Sequence, residues 1–405
     1  MSVLYKPIKI GKMEVKNRFV RSATLENMAM EDGSVSNELI KLLSKLAKGE
    51  VGLIIPGYMY IHPFGRVFKH QTGIYNDDLI PGLKKLTKAI HNKDGKIAFQ
   101  IVHGSMQIFK SLTKSEPYGP SGKILNPGTL ATSKEMTEEE IQESIQDFVG
   151  AAKRAVEANV DAIQLHAAHG YLINQFLSPF FNQRNDDWGG SDENRFRYVS
   201  EIILRIKKII PDDIPLLIKI NSNDYTPKEG ITPTLAAKYS EWLVSLGIDG
   251  IEVSCGASNY ATFHMSRGDI PVDEIIQFLP DNIKPIAKRM FHDMVGKFDL
   301  EEGYNLEAAK LIKAKIGSTP LILVGGLHTQ SFIEEVLVKN HADLISMSRP
   351  FIREPFLVKK FKEGKQTEVS CVSCNRCLAA IPNDYPIRCY KDKWPEEIKP
   401  TMYFQ

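Results

Sequence analysis

Cysteine is scarce: there are only 5 in 405 residues, and four of them fall within Cys371–Cys389. That excludes a framework of disulfides spread along the chain, and a chain of this length buries enough core to stand without one. No apolar run is long enough to span a bilayer; the longest, such as Val51–Pro56 and Leu321–Val324, have the length of buried strands. An excess of one charge is missing too. The 51 Lys+Arg against 49 Asp+Glu leave a formal net charge of +2, which gives no footprint for nucleic acid or a membrane surface. Met1 to Ile10 lacks the charged–apolar–small order of a secretory signal, so a cytoplasmic location is expected. No Gly-x-Gly-x-x-Gly follows an apolar strand, which argues against a dinucleotide-binding fold.

What is present is a repeated unit. Strands are expected at Arg18–Ser22, Gly52–Ile55, Ile97–Val102, Ala162–His166, Leu216–Ile220, Gly250–Ser254, Leu321–Val324 and Leu344–Met347. Their near-continuous apolar character suits parallel strands buried on both faces. The same cue, a residue pair ending in Asp, announces Val160-Asp161-Ala162, Ile248-Asp249-Gly250 and Ala342-Asp343-Leu344. Between them lie amphipathic helices with start signals: the capping box Thr137-Glu138-Glu139-Glu140, and Thr232 before Pro233. Eight strands favour an α/β fold of a single (β/α)₈ TIM barrel over an open sheet.

Ile8–Val15, turning at Gly11, reads as an N-terminal hairpin that closes the barrel bottom. The long stretches His103–Glu135 and Cys255–Asn305 follow the third and sixth strands, at the barrel face that usually carries the active site. Residues 1–365 are expected to form the barrel, and residues 366–405 a short Cys-rich extension packed on it.

The densest chemistry lies in Gln164–Pro179, where His166 and His169 stand three residues apart and Tyr171 follows. Read from residue types, the pair is a metal site, a filler of polar gaps, or two donors gripping an oxygen; no neighbouring carboxylate or thiol completes the first. Lys219, at the end of an inward-facing strand, points to function. Gly325-Gly326 exposes backbone amides after the seventh strand, where Thr329 can cap the next helix, and Ser348-Arg349 adds a hydroxyl and a guanidinium at the same rim. Such a rim is an anion site. Cys371-x-x-Cys374-x-x-Cys377 with Cys389 is a three-plus-one thiol set, suited to an iron–sulfur cluster or to zinc.

His166-x-x-His169-Gly-Tyr171, Asn174–Pro179, Arg184, Asp186–Gly190 and Ser191-x-Glu193-Asn194-Arg195 together resemble the Old Yellow Enzyme signature. Within that family the chain is most similar to the branch of NADH:flavin oxidoreductases, dienoyl-CoA reductase and trimethylamine dehydrogenase, over residues 4–360 and separately through the cysteine segment. The resemblance implies an FMN enzyme, reduced by NADH or NADPH, that reduces the activated C=C of an α,β-unsaturated carbonyl compound. His166 and His169 would hold the substrate oxygen, and Tyr171 would protonate the α-carbon. Ser22, Ala23 and Thr24 would lie by the flavin ring with Tyr58 near it, and Gln100 and Lys219 at its pyrimidine edge. Lys219 stands where many members have arginine, which keeps the charge and loses the planar fork. Gly325, Gly326, Ser348 and Arg349 would hold the phosphate.

For Cys371, Cys374, Cys377 and Cys389 the resemblance implies a [4Fe–4S] cluster, with zinc as the alternative. An alternative function follows: a flavin dehydrogenase of amine or similar substrates that passes electrons through the cluster to a carrier protein. The expected partners are a small-molecule substrate and that carrier, with a homo-oligomer left open and neither nucleic acid nor membrane.

Overall fold

The computed structural model describes residues 2–396, so Met1 and the end of the expected extension, 397–405, lie outside the described residues. Parallel strands β1 (Phe19–Arg21), β2 (Leu53–Ile54), β3 (Lys96–Val102), β4 (Ala162–Ala167), β5 (Leu216–Asn221), β6 (Gly250–Ser254), β7 (Leu321–Val324) and β8 (Leu344–Met347) follow one another in space as in sequence. Pairing of Ile345 with Phe19 joins β8 to β1 and closes the barrel. An extra short strand, Met59–Tyr60, adds to the outer part of β3. The helices that follow the strands are α1 (Asn37–Lys48), α2 (Ile80–His91), α3 (Glu138–Glu157), α4 (Asp192–Lys207), α5 (Pro233–Ser245), α6 (Leu306–Lys313), α7 (Gln330–Val338) and α8 (Leu357–Lys362).

The last three strands lie where the sequence places them. The first two are shorter, because Arg18, Ser22, Gly52 and Ile55 fall outside the ladder, while β3, β4 and β5 gain Lys96, Ala167 and Asn221. The repeated aspartates have a shared job. The carboxylates of Asp161, Asp249 and Asp343 accept hydrogen bonds from the amides of Ile97, Leu216 and Leu321, at 2.9, 2.9 and 2.8 Å. Each one ties the start of its own strand to the start of a neighbour, so the cue marks barrel register. The α3 capping box forms as well, with Glu140 accepting from the Thr137 amide at 2.8 Å and Thr137 from the Glu140 amide at 3.2 Å.

The hairpin pairs Ile8–Ile10 with Met13–Val15 around Gly11. Its Ile10, Met13 and Val15 pack against Val20, Leu53, Ala98, Ala162, Leu217, Ile322 and Leu344, sealing the bottom of the barrel. The opposite end stays open to the long connections. The stretch after β6 carries helices Ser258–Met265, Val272–Ile276 and Lys284–His292. Ile270, Val272, Ile275 and Ile276 of that stretch share an apolar cluster with Leu378, Ala379 and Trp394 of the tail. No helix among the described residues is long and apolar enough to cross a membrane.

Tail and insertion meet at Gly268, whose φ of +135° is one that residues with a side chain rarely adopt. A Cβ there would stand 2.1 Å from the Ser373 carbonyl oxygen. Gly268→Ala is therefore expected to cost about 1–3 kcal/mol and to loosen the cysteine segment. The measurement is Tm together with the rate of proteolytic cleavage beyond residue 366; no change in either would show the close approach to be dispensable.

Candidate active site

At the open end, strand register sets a row of polar side chains inside an otherwise apolar barrel. Gln164 on β4 lies beside Gln100 on β3, and Lys219 on β5 lies between His166 on β4 and Glu252 on β6. All are buried. Lys219 Nζ donates to Ser22 Oγ at 2.9 Å and pairs with Glu252 Oε2 at 3.3 Å. Ser22 and Ser346 both reach Glu252 Oε1 at 2.8 Å. Gln164 Nε2 donates to Glu252 Oε2 at 2.9 Å, and Gln100 Nε2 donates to Gln164 Oε1 at 2.6 Å. Gln100 Oε1 is left buried without a hydrogen-bond partner, an expensive state for an amide oxygen. Burial pushes the Lys219 pKa down, and the Glu252 carboxylate opposes that shift.

Above this row stand His166, His169, Tyr171 and Tyr58. The His166 ring centroid is 5.0 Å from that of His169, 4.7 Å from Tyr171 and 5.6 Å from Tyr58, so the predicted trio converges. Burial holds the His166 pKa well below that of a free imidazole, with His169 and Lys219 adding to the effect. The ring is therefore neutral, and its Nδ1 accepts from the Ala168 amide at 3.4 Å, which leaves the proton on Nε2. His169 is pushed down to about 3 by burial and then by Lys219, and its Nε2 lies 2.7 Å from the Ser254 hydroxyl. Tyr171 donates to the Tyr58 hydroxyl at 2.9 Å, and burial raises its pKa to about 12.

The connection holding these groups is itself propped from below. His169 and Gly170 have φ of +62° and +74°, a turn that carries His169 away from the strand direction. Asn221 Oδ1 accepts from the His169 amide at 3.1 Å and Asn174 Oδ1 from the Gly170 amide at 2.6 Å. Both asparagines donate to the buried Asp224 carboxylate, at 2.8 and 3.1 Å.

At the seam of the barrel, Thr24 Oγ1 lies 2.7 Å from Ser348 Oγ, and Ala23 is half-buried beside it. Gly325 and Gly326 take φ of +129° and +62° under Tyr304 and the Glu301 carbonyl. Thr329 departs from expectation. It occupies the cap position of α7, yet its side chain makes no cap bond. Instead its hydroxyl goes to Glu302, whose carboxylate accepts from the His328 and Thr329 amides at 2.7 and 2.5 Å. A negative side chain thus holds the two amides just ahead of α7, while the Gln330 amide goes to the Thr367 carbonyl.

Arg349 Nη1 donates to the Arg267 carbonyl at 2.8 Å and to Asn375 Oδ1 at 2.7 Å, which ties this rim to the cysteine loop. Cys371, Cys374, Cys377 and Cys389 are all free thiols lining one pocket with Arg349, Arg353 and Lys391. Arg353 Nη1 donates to Cys389 Sγ at 3.0 Å. Burial raises Cys377 to about 12 and also raises Cys371, which the Ser373 amide partly offsets. Among the described residues no three His, Cys, Asp or Glu side chains converge closely enough to chelate a single ion.

Sequence reasoning missed Gln164, Glu252, Ser254 and Asp224 as members of the site. For Glu252 a signal existed: a charged residue in the middle of the run Gly250–Ser254, where both faces are buried.

A family model described as NADH:flavin oxidoreductase / NADH oxidase family matches residues 3–268 and 294–368. The unmatched interval falls within the stretch that packs on the tail. An NADH oxidase of Thermoanaerobacter brockii is 34% identical over 376 residues, covering 92% of this chain and 52% of that protein. An NADPH dehydrogenase of Bacillus subtilis (strain 168) is 33% identical over 367 residues, covering 90% and 96%. Among solved structures, a 2-naphthoyl-CoA reductase in complex with 2-naphthoyl-CoA matches at TM-score 0.82 and 28% identity, over 96% of this chain and 56% of that one. The chain thus spans about half the length of the NADH oxidase and of the CoA-ester reductase, and nearly all of the NADPH dehydrogenase.

Proposed function

Since the chain belongs to the NADH:flavin oxidoreductase / NADH oxidase family, we propose that it is an FMN-dependent NAD(P)H oxidoreductase reducing the activated C=C of α,β-unsaturated carbonyl compounds. The observation that carries this reading is the convergence of His166, His169 and Tyr171, ring centroids 5.0 and 4.7 Å apart, in a barrel that also buries the Gln100 amide oxygen without a partner. That donor and acceptor set fits FMN: Gln100 and Lys219 for its pyrimidine edge, Ser22, Ala23, Thr24 and Tyr58 around the ring, and Gly325, Gly326, Ser348 and Arg349 for the phosphate. Bound FMN, reduced by NAD(P)H, supplies hydride to the β-carbon of the substrate.

The protein's own groups do the rest. His166 Nε2–H donates to the carbonyl oxygen. In the tautomer in which His169 Nε2 accepts from the Ser254 hydroxyl, 2.7 Å away, the ring proton lies on Nδ1 and is the second donor. Two neutral donors stabilise charge as it develops on that oxygen, which draws electrons from the β-carbon. Tyr171, whose hydroxyl hydrogen rests on Tyr58 at 2.9 Å, turns it to the α-carbon and gives up its proton there. The buried setting keeps water from competing for either proton.

The test is an anaerobic absorbance spectrum followed by additions. Flavin bands that NAD(P)H bleaches and an enone restores would support the reading. A protein that takes up no FMN would end it.

A second reading concerns the tail. Four free thiols line one pocket whose charged side chains are all cations, which suits an anionic cluster. Such a cluster supplies one-electron transfer, and the alternative function, amine or similar oxidation with export of electrons to a carrier protein, would use it. Cys377→Ser is expected to abolish a broad absorbance shoulder and the iron content while leaving FMN bound. Zinc in the wild-type protein by elemental analysis would replace the cluster in this reading.

A further inference from the structure

We infer that Glu252 is a positioning residue for flavin recognition: it fixes the direction of two glutamine amides and so makes Gln100 an acceptor toward the flavin. The inference rests on the FMN reading above and adds a residue to it. A carboxylate paired with a lysine is acceptor-only. Glu252 Oε2 therefore takes the Nε2 end of Gln164, because a reversed amide would set oxygen against oxygen. With its nitrogen committed, Gln164 has only Oε1 to offer Gln100, which must answer with Nε2, at 2.6 Å. What remains is Gln100 Oε1, fully buried and without a partner.

The other side of the carboxylate is equally constrained. Ser22 Oγ accepts from Lys219 Nζ at 2.9 Å, so the one hydroxyl hydrogen of Ser22 goes to Glu252 Oε1 at 2.8 Å. Ser346 takes the rest of that oxygen, also at 2.8 Å. Every contact of Glu252 thus agrees on one polarity, relayed from β6 through β4 to β3. An acceptor at the end of this relay selects the one N–H on the pyrimidine edge of an isoalloxazine, N3–H, over the two carbonyl oxygens that flank it.

The probes are FMN and N3-methyl-FMN, titrated into apoprotein and followed by quenching of flavin fluorescence. Wild-type protein is expected to prefer FMN by about 10-fold or more, since the methylated ring leaves the buried Gln100 oxygen unsatisfied. In Glu252→Gln the relay loses its fixed direction, and the preference is expected to fall to less than about 3-fold. Should that variant fail to fold, Gln164→Met cuts the relay with the Glu252–Lys219 pair intact and is expected to relax the preference equally. Absence of preference in the wild type would overturn the inference while the flavin reading stands. A preference unchanged in both variants would do the same, because the methyl group is then excluded by shape alone. Wild-type protein that binds neither flavin would overturn both readings together.

Discussion

Replacing His166 by alanine is expected to slow enone reduction by about 10²–10³-fold, the usual cost of losing one donor to a developing oxyanion. The expectation follows from its state as much as from its place. Burial keeps the ring neutral, and the Ala168 amide on Nδ1 fixes the proton on Nε2. The site therefore loses an oriented hydrogen-bond donor, and no cation, when the ring is removed. Flavin reduction by NAD(P)H needs no such oxyanion donor and should change far less. Stopped-flow measurement of the two half-reactions separates them; equal slowing of both would mean that His166 merely shapes the pocket. Because the pKa is lowered, the neutral donor form persists through the neutral range and is lost only on acidification well below the ordinary histidine value. The wild-type oxidative half-reaction should accordingly show no histidine limb near pH 6.5.

Tyr171→Phe should have an effect of similar or greater size, about 10²–10⁴-fold on the same half-reaction, with flavin content and NAD(P)H reduction intact. The phenol is buried, donates to Tyr58, and has its pKa raised to about 12. A raised pKa means that the proton stays on the oxygen throughout the alkaline range in which an exposed tyrosine would lose it. Proton delivery should therefore remain pH-independent until the solution approaches about 12. If the phenylalanine variant reduces enones within threefold of wild type, the proton comes from elsewhere. The ring contact between Tyr58 and Tyr171, 5.2 Å between centroids, survives the substitution, so a packing role alone predicts little change.

Much of this site was legible in the sequence because it lies on one short contiguous run. His166, His169 and Tyr171 are placed by β4 and by the turn that follows it, and local sequence specifies both. The barrel was legible for a related reason: the strands are apolar runs, three of them announced by an aspartate, so the count needed no long-range information. What escaped was the layer where different strands meet. Gln164 and Glu252 are 88 residues apart, and nothing in either segment says that a barrel register brings their side chains to 2.9 Å. Thr329 failed differently. Its position as the cap residue ahead of α7 was right, but its hydroxyl goes to Glu302, from a segment with no strand or helix signal of its own, and makes no bond to a helix amide. Local propensity names the position of a cap, and tertiary contacts decide whether its side chain makes the bond.

The apolar cluster shared by the stretch after β6 and the tail has a consequence for how the chain holds together. Residues 269–293, outside the family model, share an apolar cluster with Leu378, Ala379 and Trp394 of the tail, while Ile381 and Ile387 of the tail pack with Leu25 and Tyr58 of the barrel. The tail's own cluster, Ala380, Tyr385 and Tyr390 with Trp394, is small. The stretch and the tail make a joint outer unit anchored to the barrel through Ile381 and Ile387, and its two pieces should loosen together rather than one at a time. The cysteine pocket is built into that outer unit, and Arg349 and Asn375 tie it to the rim of the barrel.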